Sequence, residues 1–253
     1  MSSIIGAQLY TLRDHLKTTE DIRSTFKRVR ELGFSAVQLS GHGAGSAEEI
    51  AEFAAESDLA IVATHISFDR ICNDVDTVIS EHKLWNCKHV GIGGMPSEFR
   101  NSNEFSRFAS EASRSARPLI EAGLTFNYHN HSFELQRFGG KTGLEILADE
   151  SDPAVFSFEI DTYWIQHGGG NPVSWLTRLR DRMHIVHLKD MAMMGSEQLF
   201  AEVGEGNLEW DPILKACRDA GIAWYLIEQD TCQGDPFESL AISLGNLRNL
   251  GLT

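Results

Sequence analysis

Short apolar runs of four to seven residues alternate with longer amphipathic segments about eight times from one end of this chain to the other. That rhythm restricts the fold more than any single motif. Ile4 to Leu9 precedes a helix from about Thr18 to Leu32, with Glu20 and Asp21 favouring the dipole of its first turn and Gly33 as its stop. Ala36 to Leu39 precedes a helix from Ser46, where Ser-Ala-Glu-Glu reads as a capping box, to about Ser57. Ala60 to Thr64 pairs with a helix over Asp74 to Trp85, His89 to Ile92 with one over Ser102 to Glu121, and Leu124 to Tyr128 with a short one over Leu144 to Ala148. Val155 to Ile160 leads across Gly168, Gly169 and Gly170 to a helix begun by Asn171 and Pro172. Met183 to Leu188 is followed by a long loop and a helix over Pro212 to Ala220, and Ala223 to Ile227 by a helix over Pro236 to Leu250.

Nearly continuous apolar strands separated by helices bury both faces of a parallel sheet. Eight such units in 253 residues favour a closed (β/α)8 TIM barrel, a single domain over residues 1–253, because barrels of this kind occupy about 250 residues. The 22 basic and 36 acidic residues give a formal net charge of −14, which repels nucleic-acid phosphates and anionic lipid headgroups. Neither nucleic acid nor membrane is expected as a partner. Cys72, Cys87, Cys217 and Cys232 are scattered without regular spacing and read as reduced thiols. The N-terminus has no basic, then apolar, signal pattern, and no apolar run approaches the roughly 20 residues of a membrane span, so a cytoplasmic protein is expected.

In a parallel α/β fold ligands sit at the carboxyl ends of the strands. The search for a site is therefore a search for polar residues that end apolar runs. Strand one ends in Gln8, Tyr10 and Arg13, strand two in Gln38, strand three in His65, and strand five in His129-Asn130-His131 with Glu134 beyond. Strand six ends in Asp161, Tyr163 and Trp164, strand seven in His187, Lys189 and Asp190, and strand eight in Glu228 and Asp230. Alone, Asp161 equally suits a helix cap and His187 a structural histidine. Their recurrence with Glu228 on three successive strands suits one divalent metal ion, and mixed imidazole and carboxylate ligation points to Mn, Co, Zn, Fe or Mg rather than a calcium cage.

On strand five, His129 and His131 share a face because residues two apart point the same way, and Glu134 is close enough in sequence to bend back. One of the three is expected as a fourth ligand and another as an acid or base. Lys189 shares the face of His187 and can polarise a substrate oxygen; the plainer alternative is a salt bridge with Asp190. Tyr10, Phe68, Tyr163 and Trp164 offer an apolar wall for a sugar ring. Gly204-Glu-Gly206 lacks the strand and helix context of a dinucleotide fingerprint and reads as a turn.

Gly6-Ala-Gln-Leu-Tyr-Thr-Leu-Arg13, Tyr128-His-Asn-His131 with Phe133-Glu134, Asp161-Thr-Tyr-Trp164, His187-Leu-Lys-Asp190, Gly204-Glu-Gly-Asn-Leu-Glu-Trp210 and Ile227-Glu-Gln-Asp230 run almost end to end. Together they resemble the xylose isomerase-like TIM-barrel superfamily, in its sugar phosphate isomerase/epimerase branch close to inosose dehydratase-like members. The resemblance implies a metal held by Glu, Asp, His and Glu from strands five to eight, hence Asp161, His187 and Glu228 here. At strand five His129 occupies the place of the expected glutamate, so either His129 ligates directly or Glu134 replaces it from the loop; Glu134 is slightly favoured because three carboxylates keep the charge the family uses. A histidine there removes the symmetric pair of glutamate bases that related epimerases use.

The resemblance implies a metal-dependent sugar isomerase or epimerase that abstracts an α-proton through a metal-stabilised enediolate. Within it, His131 is the expected acid or base, with His129 as the alternative, Glu228 the second proton-handling group and Lys189 the polarising group. Gln8, His65 and Trp164 are expected to contact substrate. A dehydratase of a keto-sugar or inosose is the alternative; an abasic-site endonuclease or a non-catalytic sugar-binding barrel follows further behind. The substrate is expected to be a small sugar or cyclitol without phosphate, since Arg13 and Arg70 are the few basic residues near strand ends. A homodimer is an expectation from the family.

Overall fold

The structure is a computed structural model that describes residues 4–101 and 104–252. Eight strands carry the fold: β1 (Ile4–Gln8), β2 (Ala36–Leu39), β3 (Ala60–Ile66), β4 (His89–Ile92), β5 (Thr125–His129), β6 (Phe156–Asp161), β7 (Met183–Leu188) and β8 (Trp224–Ile227). Each pairs in parallel with its sequence neighbour, and β8 returns to β1 to close the barrel. The expected (β/α)8 architecture is therefore present. A parallel closed sheet leaves no edge, and the helices between strands cover its outside.

Alternation along each strand divides the side chains between two cores. In β6, Phe156, Phe158 and Ile160 are fully buried on the outer face beneath the helices, while Glu159 and Asp161 share the inner one. Burying a phenylalanine of this kind is worth about 2–3 kcal/mol. Inside the barrel, Ala36, Val62, Ala63, Ile185 and Leu226 form a separate apolar cluster. Two residues further along β2, β3, β7 and β8 stand Gln38, His65, His187 and Glu228. The interior is thus an apolar plug with polar residues directly above it, β3 supplying two residues to the plug and β2, β7 and β8 one each.

Helix starts follow local chemistry. Thr18 and Ser46 each cap a helix whose third residue, Asp21 or Glu49, returns the hydrogen bond, and Thr142 with Glu145 does the same for Gly143–Glu150. Two connections differ from expectation. The helix expected over 102–121 is broken into Glu104–Ser115 and Arg117–Glu121, because Pro118 has no N–H and its ring crowds the preceding turn; the expected start at Ser102 lies outside the described residues. The long loop after strand seven contains an antiparallel hairpin, Asp190–Met194 with Glu197–Ala201. Among the described residues no helix is long and apolar enough to cross a membrane.

At the opposite end from the strand tips, His89 is buried with Nδ1 2.9 Å from Thr125 Oγ1. Burial, with His184 and Lys88 adding to it, pushes its imidazole down to about 4. The unfolded chain therefore takes up this proton first, so the contribution of neutral His89 is complete above about pH 6.5 and is lost as pH falls towards 4. Over that window it amounts to roughly 3 kcal/mol. Urea unfolding of His89→Gln at a series of pH values should show a shallower acid limb than the parent; parallel limbs would refute the assignment.

Candidate functional site

The polar layer above the plug is organised around Glu159, a fully buried carboxylate. Gln38 Nε2 donates to its Oε1 at 2.9 Å, His65 Nε2 stands 2.6 Å from its Oε2, and His187 Nε2 lies 3.0 Å from its Oε1. Gln38 Oε1 in turn accepts from Gln8 Nε2 at 2.8 Å and faces His187 Nε2 at 2.6 Å. Burial alone would raise the Glu159 carboxyl, but the flanking His187 and His65 outweigh it and hold the group well below the usual carboxylate range.

One layer nearer the mouth, His129, Asp161, His187 and Glu228 each bring one ligand atom to within 4.8 Å of the others, and all four residues are buried. They come from the ends of β5, β6 and β7 and from the residue following β8. His129 Nε2 is 3.1 Å from Asp161 Oδ2, and His187 Nδ1 is 2.8 Å from Glu228 Oε2. The Lys189 ammonium, wholly buried, lies 3.0 Å from Asp161 Oδ2, 2.9 Å from Glu228 Oε2 and 2.6 Å from Asp230 Oδ2. Burial would lower the His187 imidazole, but Glu159 and Glu228 on its two sides lift it to about 10. For Glu228, burial is likewise outweighed, here by Lys189 and His187, and the carboxyl sits well below its ordinary value. Three carboxylates and two cations thus meet in one cluster, buried except for the partly exposed Asp230, an arrangement stable only because each charge is paired.

The arrangement departs from the expected ligand set at one position. Glu134 is buried in the wall, where Oε1 accepts from Tyr128 Oη at 2.7 Å and Oε2 from the His131 N–H at 2.9 Å. It is not part of the four-residue group, and His129 stands in that place instead. Lys189 pairs with Asp161, Glu228 and Asp230 rather than with Asp190. The Asp190 carboxylate accepts from the N–H groups of Met191, Gly204, Gly206 and Leu208 and from Trp210 Nε1. Gly204-Glu-Gly206 is accordingly a turn wound around that carboxylate, and a Cβ on Gly206 would collide with it.

His131 and Trp164 stand side by side above this layer, ring centroids 5.2 Å apart. His131 Nδ1 and Trp164 Nε1 are buried without a hydrogen-bond partner among the described residues. Burial, reinforced by His129 and Lys189, pushes the His131 imidazole down to about 3, so it is neutral near pH 7. Phe200, from the hairpin, stacks on Tyr163 at 4.2 Å and meets Trp164 edge-on, completing an aromatic wall. Phe68, expected in that wall, packs instead with Phe99 and Phe108 in the outer core. Arg13 is tied to the carbonyls of Tyr10 and Asp230, and Arg70 to Asp74 and Glu81.

Of the residues expected to contact substrate, Trp164 lines the wall, whereas Gln8 and His65 belong to the Glu159 layer. Glu159 and Phe200 are the participants that sequence reasoning passes over. The signal for Glu159 was its spacing: it stands two residues before Asp161 and must share its face. Phe200 carried none.

The family model described as xylose isomerase-like TIM barrel matches residues 26–250. An inosose dehydratase of Lacticaseibacillus casei is 26% identical over 156 residues, covering 54% of this chain and 51% of its own length, so the chain spans about half the length of the curated relatives it matches. Among solved structures, a sugar phosphate isomerase/epimerase of Parabacteroides distasonis superposes with a TM-score of 0.80 at 21% identity, covering 96% of this chain and 97% of the other. A probable 3-DHS dehydratase involved in petrobactin synthesis in Bacillus anthracis superposes with a TM-score of 0.72 at 15% identity, covering 98% and 99%. At such identities the superpositions establish the fold alone. With eight parallel strands closed in sequence order and the family match running from the first helix to the last, the chain belongs to the xylose isomerase-like TIM-barrel family.

Proposed function

We propose that this protein is a divalent-metal-dependent enzyme acting on an unphosphorylated sugar or cyclitol, and that it removes a proton from the carbon beside a carbonyl. The observation that carries the proposal is the buried group of His129, Asp161, His187 and Glu228, two nitrogens and two oxygens converging from four successive strands. These donors fit a borderline transition metal or magnesium. Bound there, the ion supplies Lewis-acid stabilisation for the negative charge that develops on a substrate oxygen. Glu228 is kept ionised by Lys189 and His187, so its carboxylate is ready to accept the α-proton near neutral pH. The buried Lys189 ammonium adds a fixed positive charge beside Asp161 and Glu228. His131, neutral, offers Nδ1 to a substrate hydroxyl.

Isomerisation or epimerisation is the first assignment. Dehydration is the second, favoured by His129 in place of a second glutamate base and by the inosose dehydratase relatives, since loss of water beside a carbonyl needs one base and one acid. With Arg13 and Arg70 both committed elsewhere, the strand ends leave no evident phosphate handle. The test is solvent-deuterium exchange, followed by NMR, at the α-carbon of unphosphorylated ketoses and inososes with added manganese. Exchange that disappears in Asp161→Ala along with bound metal is expected; metal-loaded protein that exchanges none of a broad panel would count decisively against the proposal.

A further inference from the structure

The hydrogen-bond partners around His187 determine which of its nitrogens keeps its proton when an ion is bound. His187 Nε2 faces two oxygens, Gln38 Oε1 at 2.6 Å and Glu159 Oε1 at 3.0 Å. Neither oxygen has a proton to give. Gln38 Oε1 already accepts from Gln8, and the orientation of the Gln38 amide is set because its Nε2 donates to Glu159. Glu159 accepts from Gln38 and His187 at one oxygen and from His65 at the other. Gln38 and His65 thus direct their donors at Glu159, Gln8 directs its own at Gln38, and His187 Nε2, facing only acceptors, carries a proton. Its other nitrogen, Nδ1, is turned towards Glu228 Oε2 and Asp161 Oδ2, at 2.8 and 3.9 Å; in the ion-free protein it donates to Glu228, and this is the proton that an ion held by Asp161 and Glu228 would displace.

We propose that Glu159 is a positioning residue for the metal centre: by receiving the Nε2–H of His187 from below, it locks the ring and presents the Nδ1 lone pair to the ion. The inference rests on the four-residue metal site proposed above and extends it one layer deeper. A carboxylate hydrogen-bonded to a ligating imidazole fixes its tautomer and raises its basicity, and loss of such a partner typically costs 10- to 100-fold in metal affinity. Glu159 does this for His187 while His65 and Gln38 hold Glu159 itself in place. His65 is thereby drawn into the support of the site, which accounts for its distance from the role of substrate contact expected for it.

The test is calorimetric titration of metal-free full-length protein with cobalt(II), comparing the parent with Glu159→Gln and Glu159→Leu. The isosteric Glu159→Gln keeps the volume and one acceptor, so its fold should survive even if that of Glu159→Leu does not; circular dichroism checks both. The parent is expected to bind one equivalent, Glu159→Gln about tenfold more weakly and folded Glu159→Leu up to about 100-fold more weakly. In the zinc-loaded parent, imidazole ¹⁵N shifts should report His187 as protonated at Nε2, and Glu159→Gln should alter that signal, which a merely space-filling role would leave unmoved. Parent affinity and unchanged shifts in folded Glu159→Gln overturn the inference alone. A parent that takes up no cobalt overturns the metal site itself, and the inference with it.

Discussion

Glu228→Gln is expected to lower kcat/KM by about 1,000-fold or more, equivalent to about 4 kcal/mol of transition-state stabilisation. Two losses combine in one residue. The amide is a poorer ligand than the carboxylate, and it cannot take the α-proton. It also leaves His187 Nδ1 and the Lys189 ammonium, now 2.8 and 2.9 Å from the carboxylate, without one of their shared counter-charges. Steady-state kinetics on the substrate identified by deuterium exchange, alongside metal content and circular dichroism, separates these effects. Folded, metal-replete Glu228→Gln with activity within tenfold of the parent would remove Glu228 from the proton-handling role.

Lys189→Met should produce the largest change in stability of any single substitution in the site. The ammonium touches Asp161, Glu228 and Asp230 and is itself fully buried, so its loss strands carboxylates that burial already disfavours. Removing one partner of a buried ion network typically costs about 3–5 kcal/mol. For a domain of this size that corresponds to a drop in Tm of roughly 10 °C. A divalent cation binding the same acids stabilises the native state by mass action, so saturating manganese should recover part of the loss. Thermal unfolding with and without manganese checks both statements. A metal-free variant as stable as the parent would show that the three carboxylates are relieved in some other way.

The architecture was legible because a buried parallel strand and an amphipathic helix impose different periods on the chain, and the eight apolar runs coincide with the eight barrel strands. Breaks in that agreement have local causes. Pro118 divides a helix whose apolar spacing continues through it, and the hairpin after β7 is built from Met-Ala-Met-Met, a run without the polar alternation that marks an exposed strand.

The site was legible to the depth of one residue per strand. Asp161, His187 and Glu228 stand at the ends of apolar runs and meet as their positions imply. Strand five was not decidable from sequence, because Glu134 is captured by the Tyr128 hydroxyl and the His131 N–H, and which side chain wins such a contact depends on the packed wall. Glu159 escaped because it lies within its strand rather than at the tip. In a barrel the interior continues below the rim, and a carboxylate inside an apolar strand signals a partner waiting across the lumen.

The plug of Ala36, Val62, Ala63, Ile185 and Leu226 closes the barrel beneath its polar layer. In the proposed reaction water would reach the substrate from the strand tips, past the aromatic wall, because the polar layer around Glu159 and the plug beneath it close the other side. A hydrogen lifted from substrate in that reaction would be held away from the bulk and handed back to the same molecule in part of the turnovers. Isotope washed into recovered substrate or product would then measure how often that hydrogen exchanges with solvent before it returns, against a wall to which Phe200 contributes.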